Sequence, residues 1–373
     1  MAKRSRRKTE EAEVEGEGSE LDSTLAMTRE RYGDIVERGN KRKQPNRIAS
    51  GIFMLDFALM GGIFESRINH FVGEKSAGKS TVMQKCVAGA QNDYPEDRVV
   101  IMDIEDTYDP VWAEKCGVDN ERVELVRPST GEMAIDIADA VIDSQGCSML
   151  VMDSLAFMIP MKEADASAED EHMGRQARMF NELCRKTQNT MNRAKLRGHC
   201  PTVIWINQYR TNIGTMFGDN RTIPGGRAVE AAANLMISFR NKEHTDKDDD
   251  GVEEVDYNEH EFTISKNKVC NGPRHGAFRL MRGDDDELNL MEGDVDNATT
   301  MIVYAKKFGF WSGAGKNQKL EFDDVSLKFS RQNDAIRTLN EDPDLYWHLY
   351  YALIRQQAIK RRMPADFIER FDP

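Results

Sequence analysis

From about Arg67 onward the chain repeats one pattern: a short apolar run that ends in a polar group, then a longer stretch with helical spacing. The apolar runs are RINHFVG (67–73), RVVIMDIE (98–105), SMLVMDS (148–154) and PTVIWINQ (201–208). Helical patterns cover roughly 79–92, 131–145 and 172–196 between them. Apolar strands alternating with helices predict an α/β fold, with a mostly parallel central sheet covered on both faces. Ligands of such sheets collect at the carboxyl ends of the strands. All four runs end there in polar groups: the loop after Gly73, Glu105, Asp153 and Asn207–Gln208.

The flanks read differently. A helix is expected from Ser23 to Arg38, and GNKRKQPNR (39–47) reads as a linker. ANLMISFRN, EFTISKNK and GAFRLMR alternate more and are expected as antiparallel strands added to the sheet. KDDDGVEEVDYNE, between the first two, reads as an exposed hairpin loop. From about Leu288 a smaller unit begins, with KKFGFW and the helix-rich DLYWHLYYALIRQQAIKRR. The expected divisions are a mobile tail plus N-terminal segment over 1–48, a core over 49–288 and a small α+β C-terminal domain over 289–373.

Composition narrows the class. The chain has 373 residues, 39% of them hydrophobic, enough for a sizeable core in two or three domains. No uninterrupted apolar run reaches the roughly 18 residues of a membrane span. The start, MAKRSRRKTEE, lacks the apolar stretch of a secretory signal, so a cytoplasmic location is expected. Six scattered cysteines without a CxxC pair read as reduced thiols rather than a zinc or disulfide framework. The net charge of −13 argues, on charge alone, against a nucleic-acid binder. The acids are clustered, however: the early glutamates, nine residues within 246–261, and the run Asp284–Asp296. Residues 208–227 instead carry Arg210, Arg221 and Arg227 against the single acid Asp219.

GEKSAGKST fits G-x-x-x-x-G-K-[ST] over Gly73, Glu74, Lys75, Ser76, Ala77, Gly78, Lys79, Ser80 and Thr81. It follows an expected strand and opens an expected helix, which is the context that gives the motif its meaning. Glycines let several backbone N–H groups face one anion, and the helix start adds its positive dipole end. Lys79 is expected to reach the β/γ-phosphates and Ser80 to hold Mg²⁺, with Asp153 orienting the metal through a water. The absence of an NKxD guanine-reading motif favours ATP over GTP. Transfer of the phosphoryl group to water also needs a carboxylate that positions the nucleophile. Glu105 is placed for it; Asp103, on the same expected strand face, and Asp106 are rivals.

The ordered set GEKSAGKST, MDIEDTYDPVWAEKCGVD, MLVMDS, HMGRQARM, INQYRTNIGTMFGDNRTIPGGRA and SKNK resembles the bacterial RecA recombinase family and the phage RecA-like recombinases. The resemblance spans roughly 25–290. It implies a RecA-type P-loop ATPase core, an N-terminal oligomerisation segment, and ATP-dependent filaments that pair homologous DNA and exchange strands. By it, Glu105 activates the attacking water and Gln208 senses the γ-phosphate. Asp109, Pro110 and Trp112 flank adenine, with Trp112 stacking. Lys266 and Lys268 reach ATP bound to the neighbouring subunit. A first DNA loop lies around 163–173, where Met173 matches an inserted apolar residue and Arg178 a phosphate contact. The second runs from about Gln208 to Arg227, with Arg210, Ile213, Met216, Phe217, Gly225, Gly226 and Arg227 at its contact positions and Arg221 supplying further charge. Its chemistry stands unaided: arginines neutralise phosphates, backbone near glycines binds phosphate oxygens, and apolar side chains wedge between bases.

The implied partners are single- and double-stranded DNA, further copies of the chain in a helical filament, and a single-strand-binding protein or loader. The sequence departs from the family pattern at Asn212, where a lysine is usual, at Glu230–Ala231, where Lys–Phe is usual, and at Arg282, where an aromatic is usual. These point to a divergent member of viral type rather than a housekeeping bacterial one. The competing reading is a hexameric helicase of the same fold, or another DNA-dependent ATPase without strand exchange. The 208–227 loop and the SKNK lysines fit it less well.

Overall fold

The computed structural model describes residues 19–33, 35–39, 43–164, 174–211, 221–247 and 253–372. The chain divides into two units, Met1–Lys43 and Gln44–Pro373. In the first, helix α1 spans Glu20–Tyr32. Ser19 accepts from the Asp22 backbone and the Asp22 carboxylate answers the Ser19 backbone, a reciprocal cap that fixes the helix start. Gly33, at φ 77, ends it, earlier than the expected Arg38.

The second unit is built on eight strands: β1 (Ile68–Gly73), β2 (Arg98–Asp103), β3 (Val123–Val126), β4 (Cys147–Asp153), β5 (Thr202–Gln208), β6 (Leu235–Lys247), β7 (Glu253–Asn267) and β8 (His275–Met281). Their spatial order is β8-β7-β6-β1-β5-β4-β2-β3. The four apolar runs form the buried centre, paired in parallel as their lack of alternation requires. Strand β3 was not expected. It is a four-residue edge strand with Glu124 and Leu125 exposed, too short and too polar to carry a pattern. The ANLMISFRN strand, β6, was expected antiparallel but pairs in parallel with β1, with Phe239 opposite Gly73. The connection from β5 passes through a helix and returns in the same direction, a crossover rather than a hairpin. Strands β7 and β8 are antiparallel as expected. The acidic segment expected wholly as a loop instead extends both arms of the β6–β7 hairpin, to Lys247 and from Glu253.

Helices cover both faces. On one side lie α2 (Phe53–Leu59) and α3 (Lys79–Asp93); α4 (Pro110–Lys115) follows β2. On the other lie α5 (Gly131–Asp143), α6 (Arg175–Leu196) and α7 (Gly226–Ala232). Two hydrophobic clusters result, one centred on Phe71, Ile204 and Phe239, the other on Trp205, Phe180 and Met152. The first continues into the C-terminal part, made of α8 (Asn297–Phe308), a three-stranded antiparallel sheet over 311–329, α9 (Gln332–Glu341) and α10 (Pro343–Lys360).

A buried polar latch fastens α10 to the start of the core. Asp56 accepts from the Ser50 and Gly51 backbones, from the Ser50 hydroxyl at 2.6 Å and from the Tyr350 hydroxyl at 2.6 Å. Burial pushes the Asp56 carboxyl up to about 6, and these donors oppose that rise. The folded state therefore binds this proton more tightly than the unfolded chain. Its stability contribution is greatest below the ordinary carboxylate range and declines as pH rises through about 6. Tyr350→Phe removes one donor from a buried carboxylate and is expected to cost about 1–3 kcal/mol. The cost should be larger at pH 7.5 than at pH 4.5, because a hydroxyl binds the ionised form more strongly. Urea unfolding at the two pH values checks this; an equal cost at both would separate the latch from the titration.

Candidate nucleotide and DNA site

Strand β1 ends at Gly73, the loop turns through Ser76 (φ 61) and Gly78 (φ 87), and α3 starts at Lys79. No side chain caps α3, so its first backbone N–H groups are left for an anion. Gly73 is required by close approach, since a Cβ there would lie 2.8 Å from the Phe239 carbonyl. Glu74, Lys75 and Ser76 are exposed while Ala77 and Lys79 are buried. The Lys79 ammonium donates to the Glu74 carbonyl at 2.6 Å. Burial lowers its pKa, and the charges of Asp153, Glu105 and Glu74 oppose that shift.

The Ser80 hydroxyl donates to Asp153 Oδ2 at 3.0 Å. Asp153 is buried at the end of β4, and its carboxyl is pushed up to about 6, chiefly by burial. The two line a small cavity with Asp103, Thr107 and Tyr108. A hydroxyl and one carboxylate beside a phosphate loop suit Mg²⁺, which takes few protein ligands and completes its shell with phosphates and water. Among the described residues no cluster of three or more His, Cys, Asp or Glu offers an all-protein cage.

The three acids offered for the water-positioning role have different surroundings. Strand β2 ends at Asp103, so the alternation expected to place Asp103 and Glu105 on one strand face stops short, and Glu105 lies in the bend beyond. Asp103 is occupied by the Thr107 and Tyr108 backbones at 3.0 and 3.1 Å. Asp106 is exposed and ion-paired to Arg127 at 2.8 Å. Glu105 Oε1 accepts from Gln208 Nε2 at 2.8 Å and from the Ser154 hydroxyl. Three parallel strands thus deliver Glu105, Ser154 and Gln208 to one point. Sequence reasoning missed Ser154; its place directly after Asp153 was the available signal.

Asp109 caps α4 by accepting from the Val111 and Trp112 backbones. Trp112 Nε1 donates to Thr81 Oγ1 at 3.3 Å, tying this helix to the phosphate loop. The guanidinium of Arg282 lies 5.2 Å from the centre of the Trp112 ring, so the arginine at this departure from the pattern stacks on the tryptophan.

Gln208 also opens the second loop. Arg210–Thr211 and Arg221–Thr222 pair antiparallel at its base. Arg210 donates to the Ala156 carbonyl at 2.7 Å, Arg221 lies over the Tyr209 ring, and Asn207 donates to the Pro224 carbonyl at 3.0 Å. The loop returns through Gly225 (φ 80) and Gly226 (φ 45) into α7, which carries Arg227 exposed. A Cβ on Gly225 would lie 2.3 Å from Val229. Arg178 is exposed near the start of α6. Met173, Asn212, Ile213, Met216 and Phe217 lie outside the described residues.

The SKNK lysines do not join this group within one chain. Lys266 is level with Met236 and His70, towards the amino end of β1 and away from the phosphate loop. Its ammonium donates to the Glu230 and Ala231 carbonyls, and Lys268 donates to Ala231 at 3.2 Å. Both therefore meet the last carbonyls of α7, where the helix dipole favours cations. The departure at Glu230–Ala231 falls on the residues they hold.

Residues 19–285 match the family model described as the RecA N-terminal domain. The chain belongs to the RecA family. It is 30% identical over 328 residues to the Protein RecA of Halalkalibacterium halodurans, covering 87% of each chain. It is 29% identical over 355 residues to that of Bacillus subtilis, covering 94% of this chain and 98% of the relative. A member of this family matched over most of its length is a RecA-type recombinase, an ATP-binding protein of DNA recombination and repair. The helicase reading is not favoured. No described helix is long and apolar enough to cross a membrane.

Proposed function

We propose that the chain hydrolyses ATP to ADP and phosphate in a DNA-dependent manner, with Mg²⁺, and that this cycle drives filaments on single-stranded DNA through homologous pairing and strand exchange. The observation that carries the reading is the Glu105–Gln208 hydrogen bond at 2.8 Å. It joins a carboxylate that acts on Lys79 of the phosphate loop to the first residue of the DNA loop.

In this reading the N–H groups of the phosphate loop and Lys79 hold the β- and γ-phosphates. Ser80 and Asp153 would hold Mg²⁺, which would supply charge neutralisation at the phosphate oxygens. Glu105 orients a water and takes its proton as the oxygen bonds to the γ-phosphorus and the bond to the β–γ bridging oxygen breaks. Gln208 reports the presence of the γ-phosphate by changing its bond to Glu105, which repositions the loop it opens. Trp112 and Asp109 flank the base.

Lys266 and Lys268, turned away from their own phosphate loop, serve the nucleotide of the adjacent subunit. Assembly and ATP state are then linked through differential contacts. Residues 1–48 supply the oligomerisation segment; the exposed Leu21, Met27 and Tyr32 of α1 support that role. Residues 49–288 form the ATPase core and 289–373 a small domain that helps capture duplex. Arg178, Arg210, Arg221 and Arg227 meet DNA phosphates, the backbone at Gly225 and Gly226 binds phosphate oxygens, and Met173, Ile213, Met216 and Phe217 wedge between bases. A single-strand-binding protein or loader completes the set of partners.

Strand exchange with ATP, run with homologous and heterologous duplex, tests this. Exchange that requires both ATP and homology is expected. ATP-driven unwinding indifferent to homology would favour a helicase.

A further inference from the structure

His260 lies on β7, where β-pairing sets it opposite Asn241 on β6 and Phe278 on β8. It is 2% exposed, and its ring packs on Phe278 with centroids 5.2 Å apart. Two contacts carry it out of the sheet to the phosphate loop. Its Nδ1 lies 3.2 Å from the Ala77 carbonyl, and a Cβ added to Gly78 would lie 2.6 Å from the same nitrogen. The ring is therefore wedged directly beneath the turn that leads into α3.

A carbonyl oxygen only accepts, so Nδ1 carries the hydrogen. Nε2 is buried without a partner among the described residues. Burial, with the Arg282 charge nearby, pulls the ring's pKa down to about 4, although the bond to Ala77 opposes this, so the imidazole is neutral at physiological pH. A phenylalanine would pack on Phe278 as well and bury no polar nitrogen, so packing does not account for a histidine here. The donor does.

We propose that His260 is a positioning residue for the phosphate loop: its Nδ1–H holds the Ala77 carbonyl and so aims the N–H of the same peptide, that of Gly78, at the nucleotide. This rests on reading the loop as the ATP site. Phosphate loops bind with backbone dipoles, which work only when pre-aimed. A peptide whose carbonyl is held from behind cannot rotate its N–H away. The sequence pattern gave no sign of this, because β7 leads to the loop only through the tertiary fold.

The test compares wild type, His260→Phe, His260→Asn and Lys79→Ala in the full chain, titrated with Mg·ATP in the absence of DNA. His260→Phe keeps the ring volume and loses the donor, and affinity should fall roughly five- to tenfold. Asparagine places its Nδ2 where the histidine has Nδ1, so His260→Asn should restore most of the loss. Wild-type affinity in His260→Phe, or His260→Asn binding no better than His260→Phe, overturns the proposal. A second measurement needs no variant: nitrogen NMR of labelled histidine in the wild-type chain should give an Nδ1–H tautomer for His260 at neutral pH. An Nε2–H tautomer also overturns it. If wild type and Lys79→Ala bind Mg·ATP equally poorly, the ATP-site reading itself fails.

Discussion

Glu105→Gln is expected to bind ATP with near wild-type affinity and to hydrolyse it at least about a hundredfold more slowly, the ordinary contribution of a positioned general base. The substitution is close to isosteric. Glu105 Oε1 accepts from Gln208 and Ser154, and a glutamine oxygen accepts from both. The architecture is retained while the proton acceptor is lost. Filaments on single-stranded DNA should therefore persist, trapped in the ATP state. Single-turnover hydrolysis alongside DNA retention is the measurement. Turnover at the wild-type rate would move the role to another carboxylate, yet the neighbours are already engaged: Asp103 by two backbone N–H groups and Asp106 by Arg127.

Lys79→Ala should weaken ATP binding about ten- to a hundredfold, the worth of a charge-assisted contact in a partly buried site, and abolish ATP-dependent DNA binding. Lys79 is 6% exposed, and the charges of Asp153, Glu105 and Glu74 act on its ammonium. Without it, Asp153 loses a cation that holds its pKa down, and its proton affinity rises. Folding should suffer little, because among the described residues the cation's one hydrogen bond runs to the Glu74 carbonyl, within the phosphate loop. Calorimetric titration with nucleotide, with thermal unfolding as control, separates the two effects. Undiminished filament formation on DNA with ATP would remove the phosphate-loop assignment.

The latch and the site differ in how much of each is local in sequence. Asp56 carried no motif and stood inside an apolar stretch, FMLDFAL; its meaning depends on Tyr350, 294 positions away. The nucleotide site carried a motif whose spacing is imposed by local geometry. A tight turn, a backbone cradle and a helix start all lie within nine residues, so the chemistry is legible without the fold. Asp153 stood out for a related reason. An apolar strand that ends in an acid is unusual, since the acid must have something to face.

By itself the sequence determined the alternation of buried strands and helices, the phosphate loop and the carboxylates around it. It also showed that the net charge of −13 is confined to stretches outside the 208–227 loop. Those are local properties, fixed by side-chain period, turn chemistry and the position of charges along the chain. The tertiary structure decided the rest. It turned β6 parallel to β1, because direction is set by the path of the crossover and not by the strand's own residues. It engaged Asp103 with two backbone N–H groups and Asp106 with Arg127, and set Glu105 against Gln208 and Ser154. It placed Lys266 and Lys268 on the carbonyls of α7, and His260 beneath Ala77. These last contacts join residues that sequence separation keeps far apart, and only strand order and register bring them within reach of a hydrogen bond.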